Sequence, residues 1–309
     1  NEEHHGRRLV PQADPATWWR QGVPRQADMA GEIELSASHI GELLTCPRRW
    51  FMTRRAGASS GSALRASIGS LVHRICAGNM DQWSLPEALA ELEAAWPEIE
   101  LSAEWQRSAE LADAKAAVQR FDGWLQLRNR QLIGTEVRVD GTITVPSGTA
   151  RVRGSIDRLE RDAEGAYYVV DLKTGTSQSD EIKQSHRLQI GVYQAVVASG
   201  GVEAIGPASV SGAELVHLRI GAGIGQANPK VDYQSGLVDV PWPDEAEPVD
   251  GCCNWVEASV DKALRIVTSG EYPAIANRGC GHCPARAGCP ALVPMDPATV
   301  GSDRRRNVP

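Results

Sequence analysis

The sequence predicts an α/β fold, and three observations carry that expectation. Residues 135–173 hold three strand-like runs, Thr135–Val145, Ala150–Asp157 and a third through Val169, Val170, Asp171, Leu172 and Lys173, joined by hairpin-length loops. Helical apolar spacing returns from about Asp180 to Ser199, after which strand signals resume at about Glu214–Ile220 and Gly236–Val240. Before the strands, residues 36–131 read as helices, and a further helix spans about 249–268.

Composition sets the outer bounds. The 309 residues are 42% hydrophobic, as in an ordinary soluble globular protein with a real core. The formal charge of −7 repels polyanions at long range, so a nucleic acid has to be held by local basic patches or by metal. No apolar run reaches the 18 residues of a membrane span and no leader opens the chain, so no membrane partner is expected and the protein reads as cytosolic. The first residues, Asn1, Glu2 and Glu3, without Met, read as a piece of a longer polypeptide. Seven cysteines in such a chain point to metal or cluster ligation before disulfides.

In chain order, residues 1–31 are rich in Pro, Arg, Gln and Asp and read as a linker from an upstream domain, with Trp18 and Trp19 docking either on this domain or on the upstream one. The main domain is expected over 32–292. Ser36 is placed to cap a helix carrying Ile40, Leu43 and Leu44, which runs to Cys46 and Pro47. A second helix over about Ala66–Cys76 puts Gly69 and His73 on one face, leaving room beside the imidazole. Residues 84–131 form a helical insertion: Ser84 and Glu87 have the spacing of a capping box, and Pro97 separates two helices assigned no chemistry.

The strands carry the chemistry. Asp157 and Asp171 fall on neighbouring antiparallel strands, and the period of two puts Lys173 on the face of Asp171 with Leu172 buried behind. Carboxylates are hard ligands suited to Mg²⁺ or Mn²⁺, and a lysine beside them can orient or deprotonate an attacking water. A cross-strand salt bridge is the bland alternative. With only five Lys among 32 cationic residues, a lysine at this place favours function. Glu136 could approach the acidic patch from the first strand, but is read as facing solvent. In the helix after Lys173, Gln189 and Tyr193 share a face and can touch a nucleic-acid backbone or simply line an amphipathic surface. Cys252 and Cys253 are read as packing residues on the last helix. Cys280, Cys283 and Cys289, among Gly and Pro, form a soft-ligand site in segment 280–289 whose fourth ligand comes from elsewhere; Cys46, followed by Pro as Cys289 is, is the choice. Residues 293–309 read as a flexible basic tail.

The ordered set Gly69-x-x-x-His73, Gly154-x-x-Asp157, Asp171-x-Lys173 and Gln189-x-x-x-Tyr193, enclosed by Cys46 and Cys280-x-x-Cys283-x5-Cys289, resembles the RecB-type nucleases of the PD-(D/E)XK superfamily. More narrowly it is similar to the C-terminal nuclease modules of AddB-type and actinobacterial AdnAB-type helicase–nucleases. That resemblance implies a restriction-endonuclease-like core, a mixed central sheet flanked by helices, with an iron–sulfur staple joining its N- and C-terminal parts. It implies that His73, Asp157, Asp171 and the Leu172 carbonyl hold Mg²⁺ or Mn²⁺, that Lys173 positions the water, and that Gln189 and Tyr193 contact DNA. Cys46, Cys280, Cys283 and Cys289 would hold a [4Fe–4S] cluster. The activity implied is phosphodiester hydrolysis at DNA ends, single-stranded ends above all, leaving 5′-phosphate and 3′-hydroxyl, within double-strand-break repair at the bacterial nucleoid.

Three other readings stay open at this level. A Cys₄ zinc site shares the C-x-x-C spacing. A catalytically silent DNA-binding or scaffold module, or a stand-alone iron–sulfur exonuclease, could carry the same pattern. No G-x-x-x-x-G-K-[ST] occurs, so a helicase motor is expected on a missing segment or a partner subunit.

Overall fold

The computed structural model describes residues 32–58, 63–78, 83–99, 104–176, 180–223, 225, 227–238, 242 and 248–292, and the backbone of two short paired strands, β1 (Glu3–His4) and β2 (Arg7–Arg8). The rest of the expected linker, with Trp18 and Trp19, and the expected basic tail at 293–309 lie outside the described residues.

After β3 (Ile33–Leu35), Ser36 caps α1 (Ala37–Thr45) by accepting the His39 amide at 3.2 Å. Helix α2 (Pro47–Arg54) follows at once, with Pro47 at a position where a missing N–H costs nothing. Cys46 is therefore the joint between two helices. Next come α3 (Ala63–Ala77), α4 (Leu85–Ala95) and α5 (Glu104–Gln126). Ser84 precedes α4 but makes no side-chain cap bond, so the expected capping box does not form; Pro86 in the first turn supplies the start.

The long hairpin β4 (Gln131–Val145) and β5 (Gly148–Arg161) turns at Pro146 and Ser147. Strand β6 (Tyr167–Lys173) runs antiparallel to β5, α6 (Asp180–Ala198) crosses over, and β7 (Val210–Ala222) returns parallel to β6. The sheet is mixed and six-stranded, in the order β3-β5-β6-β7-β8 with β4 on β5.

Two sequence expectations move here. The strand expected at Gly236–Val240 lies instead at β8 (Asn228–Ser235), antiparallel to β7. The reason is chemical: the side of β8 that faces α6 carries Asp232 and Gln234, bonded to His217 and Gln194, so no apolar alternation marks it. The last helix, α7 (Trp255–Ser269), begins later than expected because Asn254 caps it, accepting the Val256 and Glu257 amides at 3.0 Å each. Cys252 and Cys253 therefore precede that helix.

Helices cover both faces of the sheet. On one, α1, α6 and α7 pack on Val169, Ala213 and Leu215; on the other, α3, α4 and α5 cover Val170, Leu172, Val216 and Leu218. Alternate residues of β6 and β7 thus feed opposite cores, and both strands read as nearly continuous apolar runs. Trp50 and Phe121 are fully buried, and removing either ring is expected to cost about 3–5 kcal/mol.

The edges of β5 shape the site. One edge is paired with β4 throughout, while the other is shared, with β3 opposite 150–152 and β6 opposite 158–161. Among the described residues no strand pairs that second edge at 153–157. Asp157 stands at the mouth of this notch.

Candidate metal centre and cysteine cavity

Within the notch Asp157 is fixed by its Oδ2, which accepts the Leu172 amide at 2.6 Å. His73, reaching from α3, brings Nδ1 to 3.5 Å from the same oxygen. Pairing of Thr135 with Arg158 and of Val137 with Ile156 puts Glu136 across from Asp157. Glu136 has φ +49°, in the left-handed region that a side chain seldom adopts, and its carboxylate accepts the Ser155 hydroxyl at 2.9 Å. Among the described residues, His73, Glu136 and Asp157 are the group whose ligand atoms all lie within 4.8 Å of one another. One nitrogen and two carboxylates suit a divalent ion of the Mg²⁺ or Mn²⁺ kind.

Glu136 is the residue that sequence reading turns outward. It is exposed, yet it joins the cluster. Counting back from the hairpin turn, where Val145 faces Gly148, would have set Glu136 opposite Asp157.

Asp171, one strand over, lies outside this triad. Its Oδ2 stands 2.7 Å from Lys173 Nζ, and Lys173 also donates to Gln189 Oε1 at 2.8 Å. Burial pushes the Asp171 carboxyl up, with the Asp157 charge adding to it and the Lys173 ammonium opposing. Burial disfavours the His73 imidazolium, but the Asp157 carboxylate, aided by Asp171, outweighs it and the net shift is upward. These groups form one electrostatic unit. Leu172 is buried in the core, as its alternation with Asp171 and Lys173 requires.

Gln189 and Tyr193 stand behind this row. Gln189 holds the lysine, and Tyr193 is 6% exposed, with burial pushing its phenol up to about 12. In this arrangement the two buttress Lys173 and the β5 backbone. Gly154 explains the close approach: a Cβ there would sit 2.8 Å from the Tyr193 hydroxyl. Gly69 does the same for α3, where a Cβ would meet Thr174 Oγ1 at 2.8 Å. A cleft of about 770 Å³, lined by Gly69, Ser70, His73, Arg74, Glu136 and Thr174, opens in front of two members of the triad, His73 and Glu136. Its size admits a polymeric substrate's nucleotide.

The second site is built from sulfur. Cys46, Cys280, Cys283 and Cys289 line one small cavity, about 10 Å³, with Arg48, Arg49 and Arg286 among its walls. Two backbone amides donate to sulfur, Ile275 to Cys46 Sγ at 3.5 Å and Asn277 to Cys280 Sγ at 3.2 Å. No three of these sulfurs form a group within 4.8 Å of one another. Thiolates on one zinc ion, with bonds near 2.3 Å, would stand only ~3.8 Å apart. Cys76, by contrast, is a core residue whose burial pushes its thiol far up.

A helix-flanked mixed sheet with acidic residues and a lysine at a notch in its strands defines a class of metal-site α/β domains. The chain belongs to the PD-(D/E)XK nuclease superfamily, whose family model matches residues 34–290. No curated protein matches the chain. Among solved structures it is similar to the one described as "Crystal structure of SSO0001", at 15% identity over 85% of this chain and 88% of that chain, with a TM-score of 0.40. No helix among the described residues is long and apolar enough to cross a membrane.

Proposed function

We propose that this chain is a Mg²⁺- or Mn²⁺-dependent nuclease acting on DNA, and that it serves as the nuclease module of a helicase–nuclease that resects DNA ends. The observation that carries this reading is the His73, Glu136 and Asp157 triad facing an open cleft, with Asp171 and Lys173 on the adjoining strand.

Phosphodiester hydrolysis is among the slowest uncatalysed reactions, so charge neutralisation, an activated water and in-line placement are all needed. His73, Glu136 and Asp157 would hold the divalent ion, with Asp171 and the Leu172 carbonyl as the further ligands that the resemblance implies. When bound, the ion supplies Lewis-acid stabilisation of the phosphate oxygens and a more acidic water. Lys173, held between Asp171 and Gln189, keeps its Nζ in place to orient the attacking water and take part in moving its proton. Tyr193 and Gln189 fix that lysine, and the products carry 5′-phosphate and 3′-hydroxyl ends.

The four cysteines are read as ligands of a [4Fe–4S] cluster that clamps the two ends of the domain. Their shared cavity and the two amide bonds to sulfur support this. Absorbance near 400 nm with stoichiometric iron tests this; stoichiometric zinc in its place overturns it.

The nuclease itself is tested by cleavage of end-labelled single-stranded DNA with Mg²⁺ or Mn²⁺, in parallel with Asp171→Ala. Metal-dependent cutting that the variant loses is the expected result. A folded, DNA-binding parent that cuts nothing, alone or joined to a helicase motor, leaves a scaffold module and sinks the enzyme.

A further inference from the structure

The exposed face of the β4–β5 hairpin begins at the metal triad and runs away from it. Glu136 and Arg138 lie two residues apart on β4, and Ser155, opposite Arg138, donates its hydroxyl to Glu136. These side chains share one face, while Val139 and Ile156 turn into the core. The same face carries two more arginines, and both are consumed. Arg151 clamps Asp140 through bonds of 2.7 and 2.8 Å, and Arg153 reaches Asp140 at 3.1 Å and Glu34 at 2.7 Å. Asp140 is accordingly held well below the usual carboxylate range, at about 2, by Arg151 first and Arg153 next. Arg138 is exposed and takes part in no ion pair among the described residues. It is the cation of this face nearest the triad.

We propose that Arg138 binds the phosphate of the substrate strand that neighbours the scissile one. Two residues of strand advance the chain by about 6.7 Å, comparable to the separation of neighbouring phosphates along an extended nucleic-acid strand. A strand with one phosphate at His73, Glu136 and Asp157 therefore presents the next to the Arg138 guanidinium, whose fork suits phosphate oxygens. In a chain of net charge −7, a placed cation of this kind helps a polyanion settle beside the carboxylates of Glu136 and Asp157. This inference rests on the nuclease reading above and adds the direction in which the strand leaves the site.

The test measures binding of a short labelled single-stranded oligonucleotide, with Ca²⁺ to allow binding without cleavage, across a range of salt for the parent, Arg138→Gln and Arg138→Lys. Hydrolysis of bis(p-nitrophenyl) phosphate, which has a single phosphate, is followed in parallel with Mn²⁺. Arg138→Gln is expected to weaken oligonucleotide binding about tenfold and to lower the log–log salt slope by about 0.7, the loss of one phosphate contact on a single strand. Arg138→Lys should recover most of the slope, and small-diester hydrolysis should stay at the parent rate. An unchanged slope in Arg138→Gln, a parent that does not bind the strand, or equal losses on the oligonucleotide and the small diester would overturn the proposal. A parent that binds the strand but hydrolyses neither substrate sinks the nuclease reading, while the slope still decides the role of Arg138.

Discussion

The metal triad and the cysteine cavity are built on opposite plans. The triad uses hard oxygen and imidazole donors, sits in front of a cleft of about 770 Å³, and includes a residue with a strained backbone. The cavity uses four soft donors around about 10 Å³, drawn from the joint of α1 and α2 and from turns near the C-terminus. A centre that handles substrate has to stay open and keep ligand positions free. A centre that ties distant parts of a chain gains by excluding everything else. On the function proposed above, the open site would carry the chemistry and the closed one the stability.

The largest effect expected from breaking this division is at Lys173. Lys173→Ala should reduce cleavage about 10²–10⁴-fold, the range of a general acid–base or water-positioning group, while iron content stays at the parent value. Activity without Lys173 would shift the chemistry elsewhere. The reciprocal change is Cys280→Ser. Cys46 and Cys280 are 234 residues apart, and closing such a loop removes up to roughly 5 kcal/mol of unfolded-chain entropy in a cross-link model. Iron should be lost and the melting temperature should fall by many degrees; a stable, iron-free, active Cys280→Ser protein would make the cavity dispensable.

A smaller effect sharpens the triad itself. Glu136→Ala should weaken Mn²⁺ binding, read by calorimetry, by roughly 10–100-fold, on the scale of a ligand-shell change. Glu136→Gly should weaken it equally but be the more stable of the two by about 1 kcal/mol, because glycine accepts φ +49° without strain. Equal stability of the two variants would mean that the strain is not stored there.

The smallest expected effect is on pH dependence. Burial, with Lys173 and then His217 adding, lowers His186 to about 4. Its folded pKa lies below the unfolded value near 6.5, so the unfolded chain takes the proton first. The contribution is complete above pH 6.5 and is lost as pH falls from there towards 4. His186→Gln should flatten the stability profile across that window, leaving the cysteine cavity unaffected; an unchanged slope would discharge His186 from that role.

Local relations are the legible ones. Asp157 and Asp171 on neighbouring strands, Lys173 beside Asp171, and the Ser36 cap all follow from alternation and capping rules, because each involves only a few residues close in the chain. Where local pattern is absent, the elements shift from where periodicity puts them. Strand β8 carries a polar inner side because His217 and Gln194 bond it, so it shows no apolar period. Helix α7 starts at Trp255 rather than near 249 because the cap at Asn254 outweighs the apolar spacing ahead of it.

By itself, then, the sequence determined the α/β class, the elements on which the donors sit, and the hardness or softness of each donor set, since periodicity and side-chain chemistry are written residue by residue. Only the tertiary structure decided which donors meet. Glu136 enters the triad through the register of a 15-residue strand, and Gly69 and Gly154 owe their places to Thr174 and Tyr193. Cys46 joins three cysteines more than 200 positions away because α1, α2 and the C-terminal turns fold against one another. Register and long-range packing are set by summed contacts between distant segments, and no short stretch of sequence contains them.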